Sequence, residues 1–308
     1  MKNDFARIGL AKLCGWFGIT RQAYYQNNWE GVSTSLEEEL ILQQVKTIRN
    51  KHKRMGTRKL YEMLYPFMEE HAIKLGRDGL FNLLSENHLL IRKRKRRITT
   101  TNSFHWLRKY PNLIRDFIPS AINQLWVSDI TYWKLEKNPV YISFITDVYS
   151  HKIVGYQIAD TLESIESVRA LEMALDSLGN LRPSTLVHHS DRGIQYCSKY
   201  YIQLLNENGI KISMTENGDP LENAVAERVN GIIKEEYLDN YKISSINEAK
   251  ELLKSVIDLY NNERPHLSIS NFTPNHIHQS KIPIRTERLW KNYYRKRTTI
   301  VNQEQDLQ

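Results

Sequence analysis

The order of patterns between Leu125 and Tyr260 constrains this chain more than any other feature. Leu125–Leu135 and Tyr141–Val148 are rich in β-branched and aromatic residues, with Asn138-Pro139 as a turn between them. Ile153–Ile158 follows Ser150-His151-Lys152 as a third strand. Ser164–Leu178 is an amphipathic helix, with Ile165, Val168, Leu171, Leu175 and Leu178 on its core side. Thr185–His189 is a short apolar strand, Lys199–Asn208 a helix ended by Gly209, and Ile210–Met214 another strand. Two helices, Asn223–Tyr237 and Asn247–Tyr260, complete the order β-β-β-α-β-α-β-α-α. Three meandering strands extended by α/β crossovers predict an α/β fold, a mixed sheet with helices on its faces.

Upstream the pattern is helical throughout. Leu36–Arg49 reads as a helix capped by Ser35, with Glu37, Glu38 and Glu39 in its first turn. Thr57–Glu70 and Arg77–His88 carry apolar residues at helical spacing. Together they predict an all-α helix-turn-helix or winged-helix unit over 36–91. Arg58, Lys59 and Arg77 are its candidate DNA contacts. Two shorter helices are expected over 6–25, with Thr20 capping the second, so that 1–30 is either a small helix-turn-helix-like segment or a packing unit. The stretch Arg92-Lys93-Arg94-Lys95-Arg96-Arg97 opens a basic linker and connector over 92–122, either a DNA-binding run or a solvated spacer. The core spans 123–280, and 281–308 is a basic tail.

Charge follows these divisions. Residues 1–118 carry 22 Lys and Arg against 11 Asp and Glu, 119–280 carry 14 against 21, and 281–308 carry 7 against 3, giving a net charge of +8. Basic flanks suit a polyanion such as double-stranded DNA. An acidic core repels phosphate unless its carboxylates hold cations. No apolar run approaches the ~20 residues of a membrane helix, and residues 1–30 lack a cleavable signal pattern. Cys14 and Cys197 form no spaced pair, which excludes a disulfide framework and a zinc knuckle and makes a reducing cytoplasm the default location.

Three carboxylates stand out. Asp129 lies inside the first core strand, flanked by Trp126, Val127, Ile130 and Tyr132, where a carboxylate is costly unless it is paired or binds a cation. Asp191 directly follows the strand Thr185–His189, and ligand-binding residues collect at the carboxyl ends of strands in open α/β sheets. Glu227 lies on the helix Asn223–Tyr237, with 35 residues between it and Asp191. Magnesium resolves the mutual repulsion of such a cluster, because it binds through carboxylates plus water and substrate phosphate. A metal-free carboxylate pair for glycoside hydrolysis leaves the basic flanks and the third carboxylate without a role. Lys234, seven residues after Glu227, is on the same helix face and is either a phosphate contact or a solvated lysine. Asn223, one turn before Glu227, either touches DNA or orients the carboxylate. His188 and His189 alternate, one facing the core and the other the site.

At these residues the sequence resembles the DDE transposases of two-reading-frame bacterial insertion sequences, in the retroviral-integrase superfamily, and specifically the second-frame product. Trp126-Val127-Ser128-Asp129-Ile130-Thr131-Tyr132 matches W-x-x-D-I-T-Y. Asp147-Val148-Tyr149-Ser150 through Ile153-Val154-Gly155-Tyr156 matches the signature joining the second and third strands. His189-Ser190-Asp191-Arg192-Gly193 with Gln195-Tyr196 matches H-S-D-R-G-x-Q-Y, and Asn223-Ala224 with Glu227 matches N-A-x-x-E. Tyr260-Asn261, Arg264-Pro265-His266 and Thr273-Pro274 match the carboxyl-terminal signature. The sequence departs at Glu222, where the family usually has Asp, and at Asn275-His276-Ile277-His278, where an acidic residue often follows Thr-Pro.

The resemblance implies an RNase-H-like catalytic core in which Asp129 bridges two Mg²⁺ ions, Asp191 completes one site and Glu227 the other, with Mn²⁺ able to substitute. It implies cleavage of a DNA strand at an element end, followed by attack of the freed 3′-hydroxyl on a second phosphodiester. It also implies fusion by frameshifting to an upstream-frame product, a homo-oligomer on DNA, and action at the bacterial nucleoid. Arg264 and His266 are either structural or DNA-contacting. Two rival readings remain at this level: a stand-alone RNase-H-like nuclease, and a catalytically silent helix-turn-helix regulator.

Overall fold

The computed structural model describes residues 9–91, 105–115, 117–136, 138–179, 183, 185–216 and 223–280, without the side chains of 23–35. The chain divides into two compact units, Met1–Arg92 and Lys93–Gln308. Arg92, Lys93, Arg94, Lys95, Arg96 and Arg97, together with Glu222 and the tail 281–308, lie outside the described residues.

In the first unit α1 spans Leu10–Trp16 and α2 spans Arg21–Lys51. The expected break at Ser35 does not occur. No proline separates the two expected helices, and the single Gly31 is tolerated inside a helix at a cost of about 1 kcal/mol. Ser35 is therefore interior to α2 and not its cap. α3 spans Thr57–Glu70 and α4 spans Arg77–Glu86. Ile41, Val45, Leu60, Leu64, Leu80 and Leu84, all fully buried, hold α2, α3 and α4 together. Arg49 ties the ends of the bundle, its guanidinium donating to the carbonyls of Leu89 at 2.7 Å and Met55 at 3.3 Å.

The second unit is built on a five-stranded sheet in the order β3-β2-β1-β4-β5. β1 is Leu125–Lys134, β2 Pro139–Asp147, β3 Ile153–Ala159, β4 Val187–Ser190 and β5 Lys211–Met214. β1, β2 and β3 form the antiparallel meander, whereas β4 and β5 join in parallel. Strand residues alternate faces, so the sheet has two distinct sides. Trp126, Ile130, Ile145 and Val154 face α5 (Ser164–Asp176) and α6 (Lys199–Glu207). Trp133, Ile142, Phe144 and Ile153 face the opposite layer, made by α7 (Ala224–Ile232), its continuation, and α8 (Ile246–Asn262). Among the described residues no helix is long and apolar enough to cross a membrane.

Two features differ from the sequence expectation. The helix expected over 223–237 is α-helical only to Ile232. It continues as a π-helical turn, Ile233–Tyr237, and a 3-10 turn, Leu238–Asn240. The buried residues explain the change: Ile232, Ile233, Tyr237 and Leu238 all lie in the core. A regular helix stacks Glu236 rather than Leu238 on Ile232 and Ile233, and one extra residue per turn moves the carboxylate out and the leucine in. The second feature is α9, Pro274–Gln279, a short helix that was not expected. Thr273 caps it by accepting from the His276 N–H, and Pro274 occupies its first turn.

Candidate functional site

The position of Asp129 follows from the register of the central strand. β1 runs parallel to β4 with Val127 opposite His189. Asp129 follows two residues on in β1, on the face of Val127, and Asp191 directly follows the end of β4, near enough for its charge to act on Asp129. That face is the one α7 covers: Val127 and Val187 cluster with Ala226. Glu227 stands in the first turn of α7, exposed at the rim.

The electrostatics match this placement. The Asp129 carboxyl is partly buried and its pKa is pushed up to about 8. Burial is the largest cause, followed by the negative charge of Asp191 and then that of Glu227. Two hydrogen bonds oppose the shift. The Ile130 N–H donates to one Asp129 oxygen at 2.9 Å, and the Asn230 amide donates to the other at 2.7 Å. Asp191 is oriented by its own loop, accepting from the Gly193 N–H at 2.9 Å. Partial desolvation also raises Glu227. Among the described residues no three His, Cys, Asp or Glu side chains stand close enough to hold a metal ion. The donor set still suits a hard cation. It supplies carboxylate oxygens that repel one another, and magnesium usually takes only one or two carboxylates, completing its shell with water and substrate phosphate.

α7 lies along β1 through a stripe of polar side chains. The Asn223 amide, buried, donates to the Ser128 carbonyl at 2.9 Å. Asn230 reaches Asp129, and the Lys234 ammonium donates to Thr131 Oγ1 at 3.2 Å while lying 4.1 Å from the Tyr132 ring centroid. Asn223 is thus spent on the strand backbone, and Lys234 sits beside the site rather than in bulk solvent. Sequence reasoning gave no role to Asn230 or Thr131. The available signal was spacing: Asn230 lies three residues after Glu227 on a helix, and Thr131 two residues after Asp129 on a strand, each on the same face as its neighbour.

Neither adjacent histidine reaches the site surface. His188 Nε2 lies 2.6 Å from Ser128 Oγ and 2.9 Å from Tyr201 Oη on the α6 side, and burial depresses its pKa to about 3. His189 turns to the other face, as alternation requires, but its Nδ1 meets Ser213 Oγ at 2.8 Å inside the core. His188 thus points to the α6 side, and His189 lies buried on the face that carries Asp129. In the first unit Arg58 is exposed, Lys59 is half-buried on α3, and Arg77 is exposed beside Asp78 at 3.3 Å.

Comparison with known proteins gives the family. An integrase core domain model matches residues 119–220, and a second integrase core domain model matches 208–274. The 31 kDa protein of insertion element IS600 from Shigella sonnei is 34% identical over 268 residues, spanning 85% of this chain and 96% of the relative. The transposase for insertion sequence element IS629 from Shigella sonnei is 29% identical over 265 residues, 84% of this chain and 87% of the relative. Among solved structures, the HTLV-2 integrase catalytic core domain in complex with magnesium aligns with 51% of this chain and 97% of its own, at a TM-score of 0.41 and 22% identity. The chain belongs to the integrase-core-domain family of insertion-sequence transposases.

Proposed function

We propose that this chain cuts DNA at the ends of an insertion element and joins each freed 3′-hydroxyl to a target strand, with Asp129, Asp191 and Glu227 holding Mg²⁺. The observation that carries the reading is the convergence of Asp129 and Asp191 at the end of β4 under α7, with the Asp129 carboxyl pushed up to about 8 by burial and its acidic neighbours. Asp129, Asp191 and Glu227 would hold divalent cations, two in this reading and with Mn²⁺ able to replace Mg²⁺, which would supply activation of the attacking oxygen and stabilisation of the leaving one. The chain's own residues do the rest. Asn230 and the Ile130 N–H fix the Asp129 carboxylate, the Gly193 N–H fixes Asp191, and Lys234 supplies a positive charge beside them. In the first step water attacks phosphorus and the strand leaves with a 3′-hydroxyl. In the second that hydroxyl attacks a target phosphodiester and displaces the target strand's own 3′-oxygen, which leaves as a hydroxyl, so no covalent protein–DNA bond forms.

Arg58, Lys59, Arg77 and the run Arg92–Arg97 supply phosphate contacts outside the core. The upstream-frame product and a second copy of the chain complete the active assembly on DNA, at the nucleoid in the cytoplasm. The test is Asp191→Asn. It is expected to lose Mn²⁺ binding, cleavage and joining while keeping its affinity for DNA. Cleavage without joining by the wild type on a labelled element end identifies a nuclease instead. Full activity in Asp191→Asn refutes the carboxylate mechanism.

A further inference from the structure

Arg264 is the largest charged side chain fully sequestered among the described residues, with 0% exposure. It lies just beyond α8. Its Nε donates to Glu236 Oε2 at 2.8 Å and its Nη2 to Glu236 Oε1 at 2.7 Å, a two-pronged ion pair, and its Nη1 lies 3.0 Å from His266 Nε2. Glu236 is itself only 17% exposed and belongs to the π-turn Ile233–Tyr237. Desolvating a guanidinium is so costly that an apolar pair of the same volume generally serves stability as well or better. A bidentate pair does supply geometry, because the planar fork accepts only one arrangement of the carboxylate.

The location of that geometry matters. Glu236 lies nine residues after Glu227, inside the π-turn, and its carboxylate engages Arg264 rather than β1. Asn223, Asn230 and Lys234 fasten the helix to Ser128, Asp129 and Thr131 of β1. Arg264 grips the π-turn. π-helical turns are rare, occur mostly as single turns inside α-helices, and are frequent at functional sites. A regular helix in its place rotates Tyr237 and Leu238 out of the core or drags α7 along β1. We infer that Arg264 is a positioning residue: its buried pair with Glu236 holds the π-turn behind Glu227 and thereby sets where Glu227 stands over Asp129 and Asp191. The inference rests on the metal-binding reading of those carboxylates.

The experiment separates position from stability. In the full chain the double variant Arg264→Met with Glu236→Leu removes both charges at once. It is expected to melt within a few degrees of the wild type, yet to bind Mn²⁺ by calorimetry at least 10-fold more weakly. Glu236→Gln keeps the shape and one acceptor, and provides the measurement if the double variant does not fold. It is expected to lose about 3-fold or more in Mn²⁺ affinity. Wild-type Mn²⁺ affinity in a folded double variant, or in Glu236→Gln, overturns the inference and leaves the metal reading standing. Failure of the wild type to bind Mn²⁺, with or without DNA, overturns the metal reading and the inference with it.

Discussion

Replacing Gly155 with alanine tests how closely α5 lies on the sheet. Gly155 sits in β3 opposite Ile145, on the face that α5 covers. A Cβ placed there runs into the Ala170 carbonyl oxygen and comes within 2.8 Å of Ala174 Cβ and 2.9 Å of Ala174 N. Two of these three neighbours are backbone atoms, which no rotamer change can move. Restoring ordinary contact, about 3.5–4.0 Å between carbons, requires α5 to retreat by roughly 1 Å. α5 buries Val168, Ala170, Leu171, Ala174 and Leu175 against the sheet. A gap of that size forfeits about a quarter to a half of the dispersion energy at each contact it opens. Overpacking of this kind costs about 1–3 kcal/mol, offset by the roughly 0.5–1 kcal/mol that removing a strand glycine returns. We expect a net loss of about 1 kcal/mol, or roughly 2–4 °C in melting temperature for a unit of this size. Urea unfolding followed by tryptophan fluorescence measures it. Mn²⁺ binding remains intact in the folded variant, since β3 is the far edge of the sheet from β4. A variant as stable as the wild type shows that α5 yields freely and refutes the reasoning.

Two further outcomes follow from the buried histidine and from the charge distribution. His188 stays neutral in the folded chain, with a pKa near 3 against 6.5 for the free side chain. Between those values the unfolded chain binds the extra proton, so this residue's contribution to stability is complete above about pH 6.5 and falls as the pH drops. His188→Gln removes the term, and its stability deficit relative to the wild type is expected to be about 2 kcal/mol smaller at pH 5 than at pH 7. Equal deficits at the two pH values contradict a buried neutral imidazole. Neutralising Arg92–Arg97 is expected to weaken DNA binding and to flatten the plot of log affinity against log salt, by up to roughly 5 in slope if all six cations meet phosphate. An unchanged slope reassigns the run to a spacer.

The core was readable because its signals are local. Strand alternation, Gly209 after α6 and the motif residues around Asp129, Asp191 and Glu227 each speak for their own few positions. The sequence order also implied a mixed sheet, and the register that sets Asp129 beside Asp191 follows once β1 and β4 pair. The π-turn was not readable, because Ile232, Ile233, Tyr237 and Leu238 satisfy a helical pattern over most of their length. What breaks that pattern is Leu238, whose burial needs one residue more per turn than a regular helix supplies. Ser35 misled for a different reason: serine followed by three glutamates is a good helix start, and it also fits in the middle of a long helix when nothing stops the chain before it. Asn230 escaped notice because an asparagine on a helix surface is ordinary until its partner is known.

The parallel pairing of β1 with β4 has a consequence for how the chain acquires its chemistry. β1, β2 and β3 are neighbours in sequence and can zip together as soon as residue 159 is available. Asp129 meets Asp191 only when residues 187–189 find 125–127, across about 60 intervening positions. Contacts of such long separation carry the loop-closure entropy that slows folding. The acidic centre is therefore assembled late, after most of the sheet already exists. A ribosome-bound chain emerging only as far as α5 carries the whole meander, Asp129 included, and lacks the strand that pairs with β1 on its other edge.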